Sequence, residues 1–326
     1  MTSKLTIGKA INAGLRAAME HDPKVLVMGE DVGRLGGVFR VTDGLHKDFG
    51  ADRVIDTPLA ESGIVGTAIG MALRGYRPVV EIQFDGFFFP ATNQTFTQLA
   101  KMRRRSAGKL SVPLVMRIPY GGGIGAVEHH SESPEAYFTH TPGLRVMTIA
   151  NPEDAYWGIQ QAIRSEDPVI FLEPKRRYYE KAEFDTEAAF DDALSMGSAR
   201  IARPGTDATL LAYGPMVKTA LQAAEADTDH SLEVIDLRSL APVDYPTIVE
   251  SVKRTGRLVV THEATLTGGP GAEIAARVTE ECFYHLESPV IRVTAFDTPY
   301  PQSRLEEHYL PDLDRVLDGV DRAFAY

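Results

Sequence analysis

Short, predominantly apolar runs alternate with stretches of helical periodicity along most of the chain, and that alternation leaves few folds open. In the first half the runs fall at residues 25–28, 54–56, 78–82, 114–118 and 169–172. Runs of this kind read as strands buried on both faces, as parallel strands are when helices cover them. Between them, residues 6–21 place Ile7, Ala10, Ile11, Leu15, Ala18 and Met19 on one stripe, which predicts an amphipathic helix. Residues 62–73 and 92–103 read as helices as well. In the first of these Gly66 and Gly70 leave one face bare, predicting close backbone packing there. Asn151-Pro152-Glu153-Asp154 opens another helix, with a capping Asn, a Pro tolerated at the first position and acids at the positive dipole end.

A charged, poorly periodic stretch over residues 173–198 separates this half from a second with its own rhythm. There, strands are predicted at 208–212, 232–237, 258–261 and 290–294, and helices at 216–226, 245–253 and 271–285. The expected fold class is α/β, with two open parallel sheets carrying helices on both faces.

Composition narrows the function. The 34 basic and 45 acidic side chains among 326 residues leave a formal net charge of −11. That disfavours nucleic acid or an anionic membrane as the principal partner, since both attract positive surface. The basic run 101–105 is the contrary patch, read as a solvated helix end or a subunit-contact edge. A single cysteine, Cys282, leaves no intramolecular disulfide and no support for a Cys/His structural zinc site. Residues 1–5 carry no apolar run of the signal-peptide kind, and no stretch approaches the ~18 consecutive apolar residues of a spanning helix. The expected location is the cytoplasm.

Four constellations carry candidate chemistry. Glu61 lies in D-T-P-L-A-E-S-G-I-V-G, just ahead of the glycine-bearing helix. A lone Glu there usually does no more than face the helix dipole. Leu59, Ile64 and Val65 surround this one, however, and an enclosed carboxyl is disfavoured in its ionised form, as proton traffic near neutrality requires. The second constellation is E-I-Q-F-D-G-F-F-F-P, residues 81–90. Side chains alternate along a strand, so three successive phenylalanines cannot share one core, and at least one is free to face a ligand ring or another subunit. The third, residues 120–135, sets Gly121, Gly122, Gly123 and Gly125 ahead of His129 and His130. The glycines permit close backbone approach and the histidines titrate near neutrality. A metal pair is disfavoured, because adjacent residues seldom aim both rings at one point. The fourth, T-H-E-A-T-L-T-G-G-P-G-A-E-I at 261–274, reads as a strand-to-helix turn whose glycines lack the spacing of a nucleotide-binding fingerprint.

Taken in order and spacing, V-M-G-E-D-V-G (27–33), D-T-P-L-A-E-S-G-I-V-G, H-S-E-S-P-E (130–135) and F-D-T-P-Y-P (296–301) resemble one family. It is the beta subunit of the thiamine-diphosphate-dependent decarboxylating component of 2-oxo acid dehydrogenase complexes, and the likeness runs from Thr6 to about Leu317. The resemblance implies a transketolase-like pyrimidine-binding domain over 1–180, a linker over 181–198 and a transketolase C-terminal domain over 199–326. It implies that Glu61 hydrogen-bonds N1′ of the cofactor's aminopyrimidine, with Glu30, Leu59, Gln83 and Phe87 around the ring. His130 is implied near the reacting carbon and the lipoyl sulfur, as a general acid, and a potassium ion at Leu114, Ala162, Ile163, Ser165 and Asp167.

The resemblance also implies an alpha2beta2 heterotetramer. Self-sufficient thiamine-diphosphate enzymes carry G-D-G and a later Asn for Mg²⁺ and the diphosphate; no G-D-G occurs here, so that end of the cofactor falls to an alpha subunit. T-H-E-A and D-T-P-Y-P are closer to branched-chain members, which makes 2-oxoisovalerate (3-methyl-2-oxobutanoate) the expected substrate. Its acyl group would pass to lipoyl on a dihydrolipoyl acyltransferase. A pyruvate or acetoin dehydrogenase beta subunit, and a non-catalytic scaffold subunit, stand as alternatives.

Overall fold

A computed structural model describes residues 2–190 and 194–326. Its strands, in chain order, are β1 (Thr2–Thr6), β2 (Val25–Gly29), β3 (Val54–Asp56), β4 (Arg77–Glu81), β5 (Val115–Tyr120), β6 (Arg145–Thr148), β7 (Val169–Pro174), β8 (Lys181–Asp185), β9 (Arg200–Arg203), β10 (Ala208–Ala212), β11 (Leu232–Asp236), β12 (Ser239–Ala241), β13 (Leu258–Thr265) and β14 (Ile291–Ala295). They form a seven-stranded sheet in the order β12-β6-β7-β5-β4-β2-β3, a five-stranded sheet in the order β14-β13-β10-β11-β9, and a two-stranded ribbon of β1 with β8.

The central strands are parallel, as their apolar runs predict, and both faces are buried. On β2, Val25 and Val27 point into a cluster with helices Ile7–His21 and Pro152–Arg164. Leu26 and Met28 point the other way, into a cluster with Ile64, Val65 and Ala68 of helix Glu61–Leu73. That second cluster runs on into Leu211, Ile235 and Val260 of the five-stranded sheet, so one apolar core joins the two halves. Helices Met216–Ala226 and Leu313–Phe324 cover the far face of the second sheet.

The antiparallel edges escape a reading based on apolar runs. β9 pairs antiparallel with β11, and β12 leaves the second half of the chain to pair antiparallel with β6 in the first sheet. β1 and β8 are half-exposed along their length, which removes the signal by which buried strands are recognised. The start of the expected linker, Lys181–Asp185, is therefore β8, a strand zipped to the N-terminus; residues 191–193 of that linker lie outside the described residues.

One helix expectation needs correction. The stretch 92–103 is not one α-helix: Asn93–Gln98 is a π-turn, Leu99–Lys101 a 3-10 turn and Met102–Arg105 a last α-turn. Thr95 and Thr97 hydroxyls bond the carbonyls of Ala91 and Asn93, four residues back, which competes with the regular ladder. Within this chain a Cβ on Gly66 would lie 3.7 Å from Gln94 Cγ, an ordinary contact, and a tighter helix–helix contact is at another glycine. A Cβ on Gly70 would meet nothing within 4 Å, whereas one on Gly14 would lie 2.5 Å from Ile159 Cγ2 and 2.6 Å from the Tyr156 carbonyl oxygen. Gly14 is where helices Ile7–His21 and Pro152–Arg164 touch. The basic run is an exposed helix end, with Arg103 paired to Asp167 at 2.6 Å.

Candidate active site

The parallel register of β2 and β3 sets Gly29 beside Asp56, so the loops leaving both strands emerge at the same edge of the sheet. Carboxyl ends of parallel strands are where open sheets bind ligands. Glu30 follows β2 directly; Glu61 opens the helix that follows β3. Each is 8% exposed. Glu30 Oε1 is buried with no hydrogen-bond partner among the described residues, while its carboxyl receives the backbone N–H of Ala60. Burial pushes the Glu30 carboxyl above its ordinary range, and the nearby Glu61 and Asp31 charges push the same way. Asp31 itself has φ 59°, in the left-handed region that few non-glycine residues adopt.

Gln83 leaves the neighbouring strand β4 at the same edge. Its Nε2 donates to the Glu30 carbonyl at 3.3 Å and to Asp31 Oδ2 at 3.4 Å. Glu30, Glu61 and Gln83 are thus gathered on the ends of three adjacent strands. Leu59 is 81% exposed and stands at the rim.

The phenylalanine run is helical, which corrects the strand reading. Asp85–Ala91 is a 3-10 helix, whose three residues per turn send successive side chains in three directions. Phe88 is fully buried, Phe87 half-buried and Phe89 43% exposed. Phe87 and Phe84 flank the His130 ring at centroid distances of 5.2 and 4.3 Å, and His129 lies at 4.2 Å. His130 Nδ1 is buried without a partner. Burial holds the His130 imidazole below its ordinary pKa; His129 adds to this and Asp85 opposes it.

Beneath these side chains lie fully buried charges that sequence reasoning missed. Arg117 on β5 donates to Glu81 at 2.6 Å and to both oxygens of Glu173 at 2.6 and 2.9 Å, and Tyr178 Oη donates to Glu173 at 2.6 Å. Lys175 and Asp85 form a second pair, both side chains with zero exposure. The signal available was a lone charge inside each apolar run, Glu81 in β4 and Arg117 in β5.

Two acids from the second half hold the glycine loop. Glu263 accepts the N–H of Gly122 at 3.1 Å and lies 2.6 Å from Arg176 Nη2. Glu306 accepts from Gly123 at 2.9 Å and Gly125 at 3.1 Å, and takes the Tyr300 hydroxyl as well. The T-H-E-A and F-D-T-P-Y-P segments thereby gain a physical role. His262 is given over to structure: Nδ1 faces the Ala264 carbonyl at 3.0 Å, Nε2 accepts the Gly271 N–H at 3.1 Å, and burial pushes its pKa down to about 4.

The implied potassium residues already have partners within the chain. Arg77 Nη1 already donates to the carbonyls of Ile163 at 2.9 Å and Ser165 at 3.2 Å. Leu114 O accepts from Val169, Ala162 O from Ser165, and the Asp167 carboxylate faces Arg103 and Arg145. A guanidinium supplies the positive charge of that corner. Among the described residues no group of three or more His, Cys, Asp or Glu is placed to hold a metal.

Comparison with known proteins agrees with this architecture. Residues 3–181 match the family "Transketolase, pyrimidine binding domain", and residues 197–316 match "Transketolase, C-terminal domain". A Leifsonia xyli subsp. xyli protein named pyruvate dehydrogenase E1 component subunit beta is 60% identical over 324 residues, spanning 99% of this chain and 95% of the relative. A 3-methyl-2-oxobutanoate dehydrogenase subunit beta of Mycobacterium tuberculosis is 54% identical, spanning 99% and 92%. A 2-oxoisovalerate dehydrogenase subunit beta of Pseudomonas aeruginosa is 46% identical, spanning 96% and 93%. A solved structure titled "Split gene transketolase, inactive beta4 tetramer" superposes with TM-score 0.79 at 21% identity, covering 98% of each chain, and shares the fold.

Proposed function

The chain belongs to the transketolase-like family of 2-oxo acid dehydrogenase beta subunits, and from that premise we propose that, with an alpha subunit, it oxidatively decarboxylates a branched-chain 2-oxo acid. The acyl group passes to lipoyl on a dihydrolipoyl acyltransferase, in the cytoplasm. The observation that carries the reading is the buried Glu30–Glu61 pair at the carboxyl edge, with an orphaned carboxyl oxygen and Gln83 beside it. A polar ring with its own donors and acceptors fits there, because an unpaired buried acceptor is costly until something donates to it.

Thiamine diphosphate, when bound, supplies the nucleophilic carbon that attacks the keto group and the electron sink for the departing CO₂. Glu61, Glu30, Leu59, Gln83 and Phe87 would hold its aminopyrimidine, and the alpha subunit would hold Mg²⁺ and the diphosphate. Glu61 keeps and moves the proton at N1′; Glu30, whose ionised form burial disfavours, limits the negative charge gathered there. The Phe84, Phe87 and His129 rings pack around the His130 imidazole. The electron pair left when CO₂ departs reduces the dithiolane S–S bond; one sulfur would take the acyl group and the other a proton from His130. A histidine held below its ordinary pKa is the stronger acid once protonated.

Glu61→Gln tests the reading in the assembled heterotetramer. Decarboxylation is abolished while assembly is retained; normal turnover would overturn it. His130→Ala lowers transfer to lipoyl more than decarboxylation read with an artificial electron acceptor. A second reading, pyruvate as substrate, is favoured by the 60% identity to the Leifsonia relative against 54% to the Mycobacterium one. The ratio of kcat/KM values for 2-oxoisovalerate, pyruvate and acetoin decides between them. A heterotetramer that binds no thiamine diphosphate would instead point to a scaffold subunit.

A further inference from the structure

The Asp85–Lys175 ion pair has zero side-chain exposure. Replacing such a pair by apolar residues is often neutral or stabilising, so stability alone is weak reason for one. Its surroundings point to a positional role. One Asp85 oxygen faces Lys175, and the other accepts the backbone N–H of Glu132 at 2.8 Å. The next residue, Gly86, lies against the neighbouring turn so closely that a Cβ there would stand 2.5 Å from the His129 carbonyl oxygen. The same strand-to-helix corner thus meets the chain at His129, within the turn Glu128–His130, and at Glu132, two residues past it. Lys175 also reaches the Pro119 carbonyl at 3.4 Å and lies over the Phe84 ring at 5.7 Å, the ring whose edge meets His130. Among the described residues no hydrogen bond holds Nδ1 of the imidazole, which leaves ring packing and the anchored backbone to orient it.

We propose that the buried Asp85–Lys175 pair is the positioning device for His130, clamping its turn against the aromatic corner so that the imidazole faces the lipoyl approach. The functional side of this inference rests on the reading of His130 as the acid in acyl transfer; its geometric side does not. The charged groups acting on His130 are His129 and Glu128 on its own turn, and Asp85 and Lys175 from below.

The test uses the assembled heterotetramer carrying Asp85→Asn with Lys175→Met, which removes both charges together. Lys175→Arg and Asp85→Glu keep the charges and alter the fit. Diethylpyrocarbonate modification of His129 and His130, resolved by peptide mass spectrometry across neutral pH, reports ring exposure and protonation independently of activity. Expected is a rise of about fivefold or more in His130 modification in the double variant. Lipoyl transfer falls about tenfold or more, with dye-linked decarboxylation changed less than about twofold, as displacement of one acid predicts. An unchanged His130 modification profile in the double variant overturns the proposal. Should that variant fail to assemble, unchanged profiles in both charge-conserving variants overturn it equally. If His130→Ala leaves transfer untouched, the role of His130 as acid falls, while the modification profile still decides whether the pair positions it.

Discussion

The Glu306 carboxylate accepts the backbone N–H of Gly123 at 2.9 Å, closing a contact between residues 183 positions apart in sequence. With the Gly125 N–H on its other oxygen, it ties the start of the glycine loop to the last part of the chain. Hydrogen bonds to a charged group contribute about 1.5–3 kcal/mol each. Glu306→Ala is expected to free the loop without unfolding either sheet. Amide exchange at residues 121–125 would rise by about one to two orders of magnitude, and Glu306→Gln, which keeps an acceptor oxygen, would fall between. Exchange in the loop equal to wild type would show that the clamp carries no load.

His262 predicts an acid-side loss of stability. Its folded pKa is pushed down to about 4 from 6.5 by burial. The unfolded chain therefore binds the extra proton over that interval, and stability falls as pH drops from about 6.5 to about 4. The slope contributed by this one group is at most about 1.4 kcal/mol per pH unit. His262→Gln should flatten it, although losing the bond from Gly271 lowers stability at all pH values. Chemical denaturation of both proteins across the interval measures the difference in slope.

Glu135 acts in the opposite sense. Burial raises its carboxyl to about 8 from 4.5, with the Glu263 charge pushing the same way and the Tyr213 hydroxyl opposing. Here the native state holds the extra proton, so stability falls as pH rises from about 4.5 to about 8. Glu135→Gln is expected to match wild type near the acid end and to exceed it progressively toward the alkaline end. A constant difference between the two proteins across that interval would refute the assignment.

Arg77 predicts indifference to potassium. Exchanging K⁺ for a large organic cation at constant ionic strength should leave activity and melting temperature of the heterotetramer unchanged, because the guanidinium already serves the Ile163 and Ser165 carbonyls. Arg77→Met vacates that corner and is expected to lower Tm in a way that K⁺ partly restores. A wild-type enzyme that loses stability on K⁺ removal would show a cation bound alongside the arginine.

Much of the site was legible in the linear order of residues. Glu30, Glu61 and Gln83 each stand just beyond an apolar run, and parallel strands deliver such positions to a common edge. The direction of the phenylalanines is not legible, because a 3-10 turn and a strand end look alike over so few residues. Nor is a role for Glu263 or Glu306, because what each carboxylate grips is a backbone N–H from the other half of the chain, which has no sequence signature.

Periodicity and residue chemistry, read locally, suffice for the α/β alternation, the apolar runs and stripes, and the supply of acids, glycines and histidines. Which charges pair is settled by the folded chain alone. Arg117 with Glu173, Lys175 with Asp85 and Arg77 with the Ile163 carbonyl are contacts between distant segments. In a buried, low-dielectric interior such partners are set by where the sheets and turns bring them, and the cost of leaving any one unpaired then holds that arrangement in place.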